Sequence, residues 1–245
     1  MKSTAAIHWA YSDSIQPYNT AILSRKEQIQ ANAFRFDEHR ELYLAAHYFL
    51  RKVLSYYVPS PLSAWRYDYN YFGKPFISNA LSQKIFFNLS HTQGMIVCAV
   101  SHTHDIGIDV ELKRPINNFK EMSHSCFHSI ERNEVLRGIT HAEKEDLFFV
   151  YWTLKEAAIK AWGEGLSTSL QSFYLYRKVL NQWGVTFVTP QTKKASNLQL
   201  NSLTVDNDYQ LAIAIQVSST YCSSQPLMFT ITDSNSSDSS CWNTL

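Results

Sequence analysis

The sequence carries little charge of either sign, few cysteines and no long apolar run. Charged residues make up 18% of its 245 residues, against roughly a quarter in ordinary soluble domains. Twenty-two lysines and arginines face twenty-one aspartates and glutamates, for a net charge of +1. That balance excludes a strongly basic nucleic-acid binder and an acidic-tail protein. No stretch approaches the roughly twenty apolar residues of a membrane helix. The opening MKSTAAIHWAYSDS also lacks the apolar run of a signal peptide. Cys98, Cys126, Cys222 and Cys241 are scattered, which argues for reduced thiols in a cytoplasmic protein rather than a disulfide framework.

What is present suffices for a real core: 45% of residues are apolar and 14% aromatic. Disorder over the whole chain is excluded, and the length suits one large domain or two small ones. Residues 24 to 57 have no Gly or Pro and repeat Leu42, Ala45, Ala46, Phe49, Leu50 and Val53 on one face. This predicts one long helix, or two with a break. Strand-like runs follow at 85–87, 95–100 and 106–110, joined by short polar loops that predict an antiparallel meander. Residues 130 to 162 read as helix again, stopped by Gly163 and Gly165. Strands are then expected at 173–179, 185–188, 198–205 and 210–217. Helix followed by meander thus occurs twice, giving an α+β chain with halves at 1–104 and 105–220. A serine-rich tail at 221–245 follows, with a strand at 227–231 in it.

Three constellations can carry chemistry. In Gly107-Ile108-Asp109-Val110-Glu111, strand alternation puts Asp109 and Glu111 on one face and Ile108 and Val110 on the other. Paired carboxylates of this kind suit Mg²⁺, or they are simply the outward face of a half-exposed strand. In Trp152-Thr153-Leu154-Lys155-Glu156-Ala157-Ala158-Ile159-Lys160, helical spacing stacks Trp152, Glu156 and Lys160, with Lys155 beside them. An ordinary solvated helix would look the same. In Phe87-Asn88-Leu89-Ser90-His91, adjacent Ser and His point apart on an extended chain, which is poor geometry for a nucleophile and its base. With Lys74 they suit the holding of a phosphate better. His102, His104 and Asp105, and His124, Cys126 and His128, fall short of a zinc ligand set and read as loop residues.

GKP at 73–75, FNLSH at 87–91, GIDVE at 107–111 and WTLKEAAIK at 152–160 occur together in this order. The set resembles the Sfp-type 4′-phosphopantetheinyl transferases, whose pattern runs GKP, (F/N)xSH, G(I/V)DxE and (F/W)xxKE(A/S)xxK. Cys126 to Glu131 resembles the same family's F-(F/S)-x-x-E stretch. The resemblance implies a pseudo-dimer of two similar α+β halves with the active site in the cleft between them. It implies transfer of the phosphopantetheine arm of coenzyme A to a serine of an apo acyl or peptidyl carrier protein, releasing 3′,5′-ADP. Asp109, Glu111 and Glu156 would then hold Mg²⁺. Glu156 would also take the serine proton, with Lys160 and Asp109 as its catalytic companions. Arg35, Lys74, Ser90, His91, Lys155 and Lys160 would bind the coenzyme.

The internal duplication makes a second subunit unnecessary and predicts a monomer, and the charge balance and lack of an apolar run predict neither a nucleic-acid nor a membrane partner. The resemblance implies a carrier surface around Pro115 to Phe127, with Lys113, Arg114 and Lys120 as candidate contacts for an acidic carrier helix. Two departures stand out: Asn32 replaces a lysine found in some members, and His124-Ser125-Cys126 replaces a frequent arginine. Two rival readings compete with this one. A Mg²⁺-dependent nuclease-like hydrolase would use Glu111-Leu112-Lys113 with Asp109 or Asp105, but it leaves FNLSH and the lysine-rich helix unexplained. A catalytically inactive carrier-binding module is disfavoured by the intact carboxylates and lysines.

Overall fold

A computed structural model describes residues 5–15, 19–79, 84–179, 182–189, 198–217, 229–233 and 243–244. The chain runs β1 (Ala5–Tyr11), α1 (Arg25–Asn32), α2 (Asp37–Tyr57), β2 (Tyr67–Tyr69), β3 (Pro75–Ile77), β4 (Phe86–Thr92), β5 (Met95–Ser101) and β6 (Ile106–Leu112). It continues with α3 (Phe119–Cys126), α4 (Ser129–Leu136), α5 (His141–Trp162), β7 (Phe173–Val179), β8 (Gln182–Phe187), β9 (Leu198–Val205), β10 (Tyr209–Gln216), β11 (Phe229–Asp233) and β12 (Asn243–Thr244). The α+β class is as expected. No helix among the described residues is long and apolar enough to cross a membrane. Cys98 and Cys126 are buried free thiols, while Cys222 and Cys241 lie outside the described residues.

Two five-stranded sheets form, in the orders β12-β11-β1-β5-β4 and β6-β10-β9-β8-β7. Three cores stack through them. Phe49, Leu50 and Val53 of α2 pack on Ile96, Cys98 and Val100 of β5. The other face of β5, with Met95, Val97 and Ala99, meets Ile106, Ile108 and Val110 of β6 and Leu211, Ile213 and Ile215 of β10. Beyond the second sheet, Ala212 and Ala214 pack with Leu154, Ala157, Ala158 and Ala161 of α5. Because β5 is covered on both faces, its seven residues are all buried, and its sequence is apolar from Met95 to Val100 rather than alternating.

Several expectations need correction. The first helical stretch takes the second of its two expected forms and needs none: Phe36 is extended, with φ −110° and ψ 135°, and Asp37 and Glu38 open the second helix where the macrodipole favours them. The second stretch also breaks. Gly138 sits tight against the start of α5, where a Cβ would come 2.9 Å from the Lys144 nitrogen. Thr140 and Glu143 then form a capping box that restarts the helix. The helix α3 had no counterpart in the expectations, nor had β1.

The meander of three is really a hairpin. β4 pairs with β5, but β6 pairs with β10 in the other sheet, because its apolar face packs face to face on β5 rather than beside it. The second meander, β7 to β10, stands as expected. Within the stretch read as a tail, β11 runs parallel to β1 and extends the first sheet.

A buried polar knot ties α1 to α2. Arg51 donates to both carboxylate oxygens of Glu27 at 2.9 and 2.7 Å, and His47 Nδ1 lies 2.8 Å from Glu27 Oε1. Burial alone would raise the Glu27 pKa. Hydrogen bonds from His47, Arg51 and Ser24 outweigh it and hold the carboxyl far below the usual range.

Candidate active site

Strand alternation delivers the first carboxylates as expected. Ile106, Ile108 and Val110 enter the core between the sheets, so Gly107, Asp109 and Glu111 face α5. Helix and strand approach closely because residue 107 has no side chain: a Cβ there would sit 2.1 Å from the Ala157 carbonyl oxygen and 2.4 Å from the Ala161 nitrogen. Glu156 and Lys160, one turn apart, project from the facing side of α5.

Of these groups, Lys160 and Asp109 are in direct contact. Lys160 Nζ donates to Asp109 Oδ1 at 2.6 Å and to Ser90 Oγ at 3.0 Å. Ser90 Oγ in turn donates to Asp109 Oδ1 at 3.0 Å. Trp152 Nε1 donates to Glu111 Oε1 at 3.1 Å. Asp109 is only 4% exposed, and its Oδ2 is buried with no hydrogen-bond partner. Burial and then the charge of Asp109 push the pKa of Glu111 up, and the same two causes in the same order raise Glu156. Three carboxylates therefore share one electrostatic field. Among the described residues, no three potential metal-ligating side chains close on a point as a finished cage.

The other residues singled out in the sequence fall at different places. His91, next along β4 from Ser90, is exposed on the opposite face of that strand. Desolvation by the surrounding walls, then the charges of Lys160 and His47, draw its pKa down to about 4. At neutral pH it is an uncharged donor and acceptor. Lys74 is not at the carboxylates. Its Nζ lies 3.2 Å from the Ile106 carbonyl, 3.3 Å from the Ala161 carbonyl and 3.4 Å from Asp105 Oδ1, so it ties the end of α5 to the start of β6. Asn70, which no motif flagged, assists by donating to the Gly163 carbonyl at 2.7 Å. Arg35 lies exposed between α1 and α2, its guanidinium over the Phe36 ring.

Lys155 is the clearest displacement. It lies on the far side of α5, fully buried, paired with Glu131 at 2.8 Å and donating to the carbonyls of Leu170 and Phe173. The structure therefore does not bring Lys155 to the cluster, and the helical stack holds for Trp152, Glu156 and Lys160 only. Lys113 turns to Asp146 at 3.0 Å, so the E-x-K arrangement of a nuclease does not form.

Beside the carboxylates opens a cavity of about 510 Å³, lined by Glu111, Arg114, Ile116, Met122, Phe148 and Trp152 among others. Its walls are mostly apolar. Trp152, stacked on Phe148 and hydrogen-bonded to Glu111, lines the cavity beside that carboxylate. The segment after β6 thus contributes both an apolar bay and a cation, Arg114, at its edge.

The chain is similar to known proteins of one family. Residues 105–214 match the 4′-phosphopantetheinyl transferase superfamily, a span that contains β6 and α5. The chain is 38% identical to the 4′-phosphopantetheinyl transferase HetI of Nostoc over 148 residues, covering 60% of this chain and 62% of the relative. It is 30% identical to the 4′-phosphopantetheinyl transferase Sfp of Bacillus subtilis over 190 residues, 77% of this chain and 79% of the relative. It is 33% identical to the 4′-phosphopantetheinyl transferase gsp of Aneurinibacillus migulanus over 128 residues. The matched part spans about three fifths of the Nostoc protein and half of the Aneurinibacillus one. With four fifths of the Bacillus relative matched at 30% identity, the chain belongs to the 4′-phosphopantetheinyl transferase superfamily.

Proposed function

We propose that this protein transfers the 4′-phosphopantetheine arm of coenzyme A to a serine of an apo acyl or peptidyl carrier protein, with Mg²⁺ and with release of 3′,5′-ADP. The observation that carries the reading is the convergence of Asp109 and Glu111 from β6 with Glu156 and Lys160 from α5, in a chain of this family. In the reaction the serine oxygen bonds to the β-phosphorus, and the bond from that phosphorus to the leaving 3′,5′-ADP breaks.

The residues fit a divalent cation. Asp109 Oδ2 is buried and unpartnered, and all the donors are hard carboxylate oxygens. Bound there, Mg²⁺ would supply Lewis-acid stabilisation of the pyrophosphate. The chain's own groups do the rest. Glu156, on the face of α5 turned to Asp109, accepts the proton of the incoming serine. Lys160 sets its ammonium against the phosphate charge that develops. His91, uncharged at neutral pH, donates to the nucleotide phosphates. Arg35 approaches the coenzyme only from the exposed loop before α2, and Lys74 supports the site by holding its two halves together. Lys155 serves the fold of the second half.

The carrier is expected at the segment after β6. Arg114 and Lys120 are exposed there and complement an acidic carrier helix, next to the apolar bay. Both walls of the site come from one chain, so a cytosolic monomer is sufficient.

Intact mass of an apo carrier incubated with the protein, coenzyme A and Mg²⁺ tests the reading. A gain of one phosphopantetheine is expected, lost with EDTA and lowered about 10²- to 10⁴-fold in rate by Glu156→Gln. No gain on either carrier class, or a gain that Glu156→Gln leaves untouched, would overturn it.

A further inference from the structure

We infer that Asn88 is a positioning residue of the reaction: through the backbone N–H of Ile108 it fixes where β6, and with it Asp109, lies against β4. The inference rests on the transferase reading above and adds a residue to which that reading gives no task.

The argument starts from two strand edges. β4 ends the first sheet and β6 ends the second. β4 pairs with β5 on its inner side and β6 pairs with β10 on its own. Among the described residues, no strand pairing joins β4 to β6. Backbone N–H groups on such an edge still need partners when they are buried. Side chains two residues apart on a strand share a face, and on β4 that face supplies them. Asn88 Oδ1 accepts the Ile108 N–H at 2.8 Å, and Thr92 Oγ1 accepts the Leu112 N–H at 3.4 Å. Two side chains thus stand in for a ladder. The shorter bond is that of Asn88, which is only 4% exposed. Asparagine is depleted in strands, so its place inside this one calls for a polar task, and the bond to Ile108 is that task.

The bond lies beside the chemistry. Ile108 is followed by Asp109, and Asn88 stands two residues before Ser90. With the strands locked there, Ser90 Oγ meets Asp109 Oδ1 at 3.0 Å, and Lys160 reaches both, at 3.0 and 2.6 Å. Groups brought by β4, β6 and α5 therefore take their mutual distances from where β6 rests on β4. A shift of about 1 Å in such an arrangement can cost about a hundredfold in rate. A second tie between the sheets supplies the contrast. Tyr209 of β10 donates to the Gln93 carbonyl in the turn after β4 at 3.3 Å, and it pairs with Leu112 at the far end of β6. It joins the same two sheets away from Asp109.

The test compares Asn88→Leu, which keeps the bulk and loses the acceptor, with Asn88→Thr and Tyr209→Phe. Three quantities are measured on the folded fraction: exchange of the Ile108 amide by NMR, Mn²⁺ affinity by water proton relaxation, and turnover. Asn88→Leu should expose the Ile108 amide to exchange. It should weaken Mn²⁺ about tenfold and lower turnover about 10- to 100-fold. Asn88→Thr should recover part of each, since Thr92 shows that a threonine on this face can accept an N–H from β6. Tyr209→Phe should leave Mn²⁺ affinity and turnover within about twofold of the wild type, whatever it does to Tm. If Asn88→Leu does not fold, Asn88→Ala takes its place with the same expectations. Turnover and Mn²⁺ affinity reduced no further by loss of the acceptor than by Tyr209→Phe would overturn the inference, as would losses that Asn88→Thr leaves unrelieved. A wild type that transfers nothing would instead bring down the transferase reading, and this inference with it.

Discussion

Lys155 and Glu131 form an ion pair at 2.8 Å in which neither side chain reaches solvent. Glu131 also accepts the backbone N–H of Leu175 and of His128, and Lys155 donates to two carbonyls and lies over the Phe173 ring. Burial pushes Glu131 up and Lys155 down, each opposed by the other's charge. The pair joins α4, α5 and β7 around a single satisfied polar centre, as a buried charge requires.

Removal of one partner should therefore cost far more than removal of both. Lys155→Met strands the Glu131 carboxylate and is expected to cost about 3–5 kcal/mol in urea unfolding. The double variant Lys155→Met/Glu131→Gln should recover much of it. Any folded Lys155 variant should keep the KM for coenzyme A. A stable Lys155→Met with a raised KM would return this lysine to the phosphates.

The same lysine shows what a sequence can and cannot convey. Asp109 with Glu111, and Glu156 with Lys160, were legible because strand and helix periods fix which side chains share a face. Lys155 lies five residues before Lys160, about 140° around the helix, so the same period should have separated them. The motif's charge pattern drew them together instead. Its true partner, Glu131, is on another helix, and no local rule points there.

The placement of β6 failed for a similar reason. Its residues alternate as a strand should, but whether it lies beside β5 or stacks on it depends on Leu211, Ile213 and Ile215 far along the chain. The break before α5 could have been read from Gly138 and the Thr140/Glu143 pair. The contact of Ser90 with Asp109 could not, because it depends on two sheets meeting at their edges.

The raised pKa values of Glu111 and Glu156 predict the sign of a pH effect. A carboxyl whose folded pKa lies above its ordinary 4.5 binds more protons folded than unfolded. Its contribution to stability is then lost as pH rises from about 4.5 through the raised value. At neutral pH, without a cation, these charged groups strain the fold. Glu156→Gln should be more stable than the wild type in EDTA at pH 7.5, and the gap should close toward pH 4.5. Each kcal/mol reads as roughly 2–4 °C in Tm for a chain of this size. Mg²⁺ should raise the Tm of the wild type at pH 7.5 and leave that of the variant nearly unchanged. A variant less stable than the wild type in EDTA at pH 7.5 would contradict the assignment.

Gly107 sets the distance on which the site depends. A Cβ added there would collide with backbone on α5, not with a movable side-chain end, so relief must come from separating helix and strand. Overpacking of this kind costs about 1–3 kcal/mol. The separation also carries Glu156 and Lys160 away from Asp109, so Gly107→Ala should lose activity beyond what its residual folding explains. Gly73 supplies the contrast. Its φ of +90° makes alanine a strained choice, but no atom lies within 4 Å of the added carbon. Gly73→Ala should cost about 1–2 kcal/mol and leave the Asp109–Lys160 geometry intact. Turnover measured on the folded fraction of each variant decides the matter. Losses of equal size would mean that the close approach of α5 to β6 is not what the first glycine of the carboxylate motif secures.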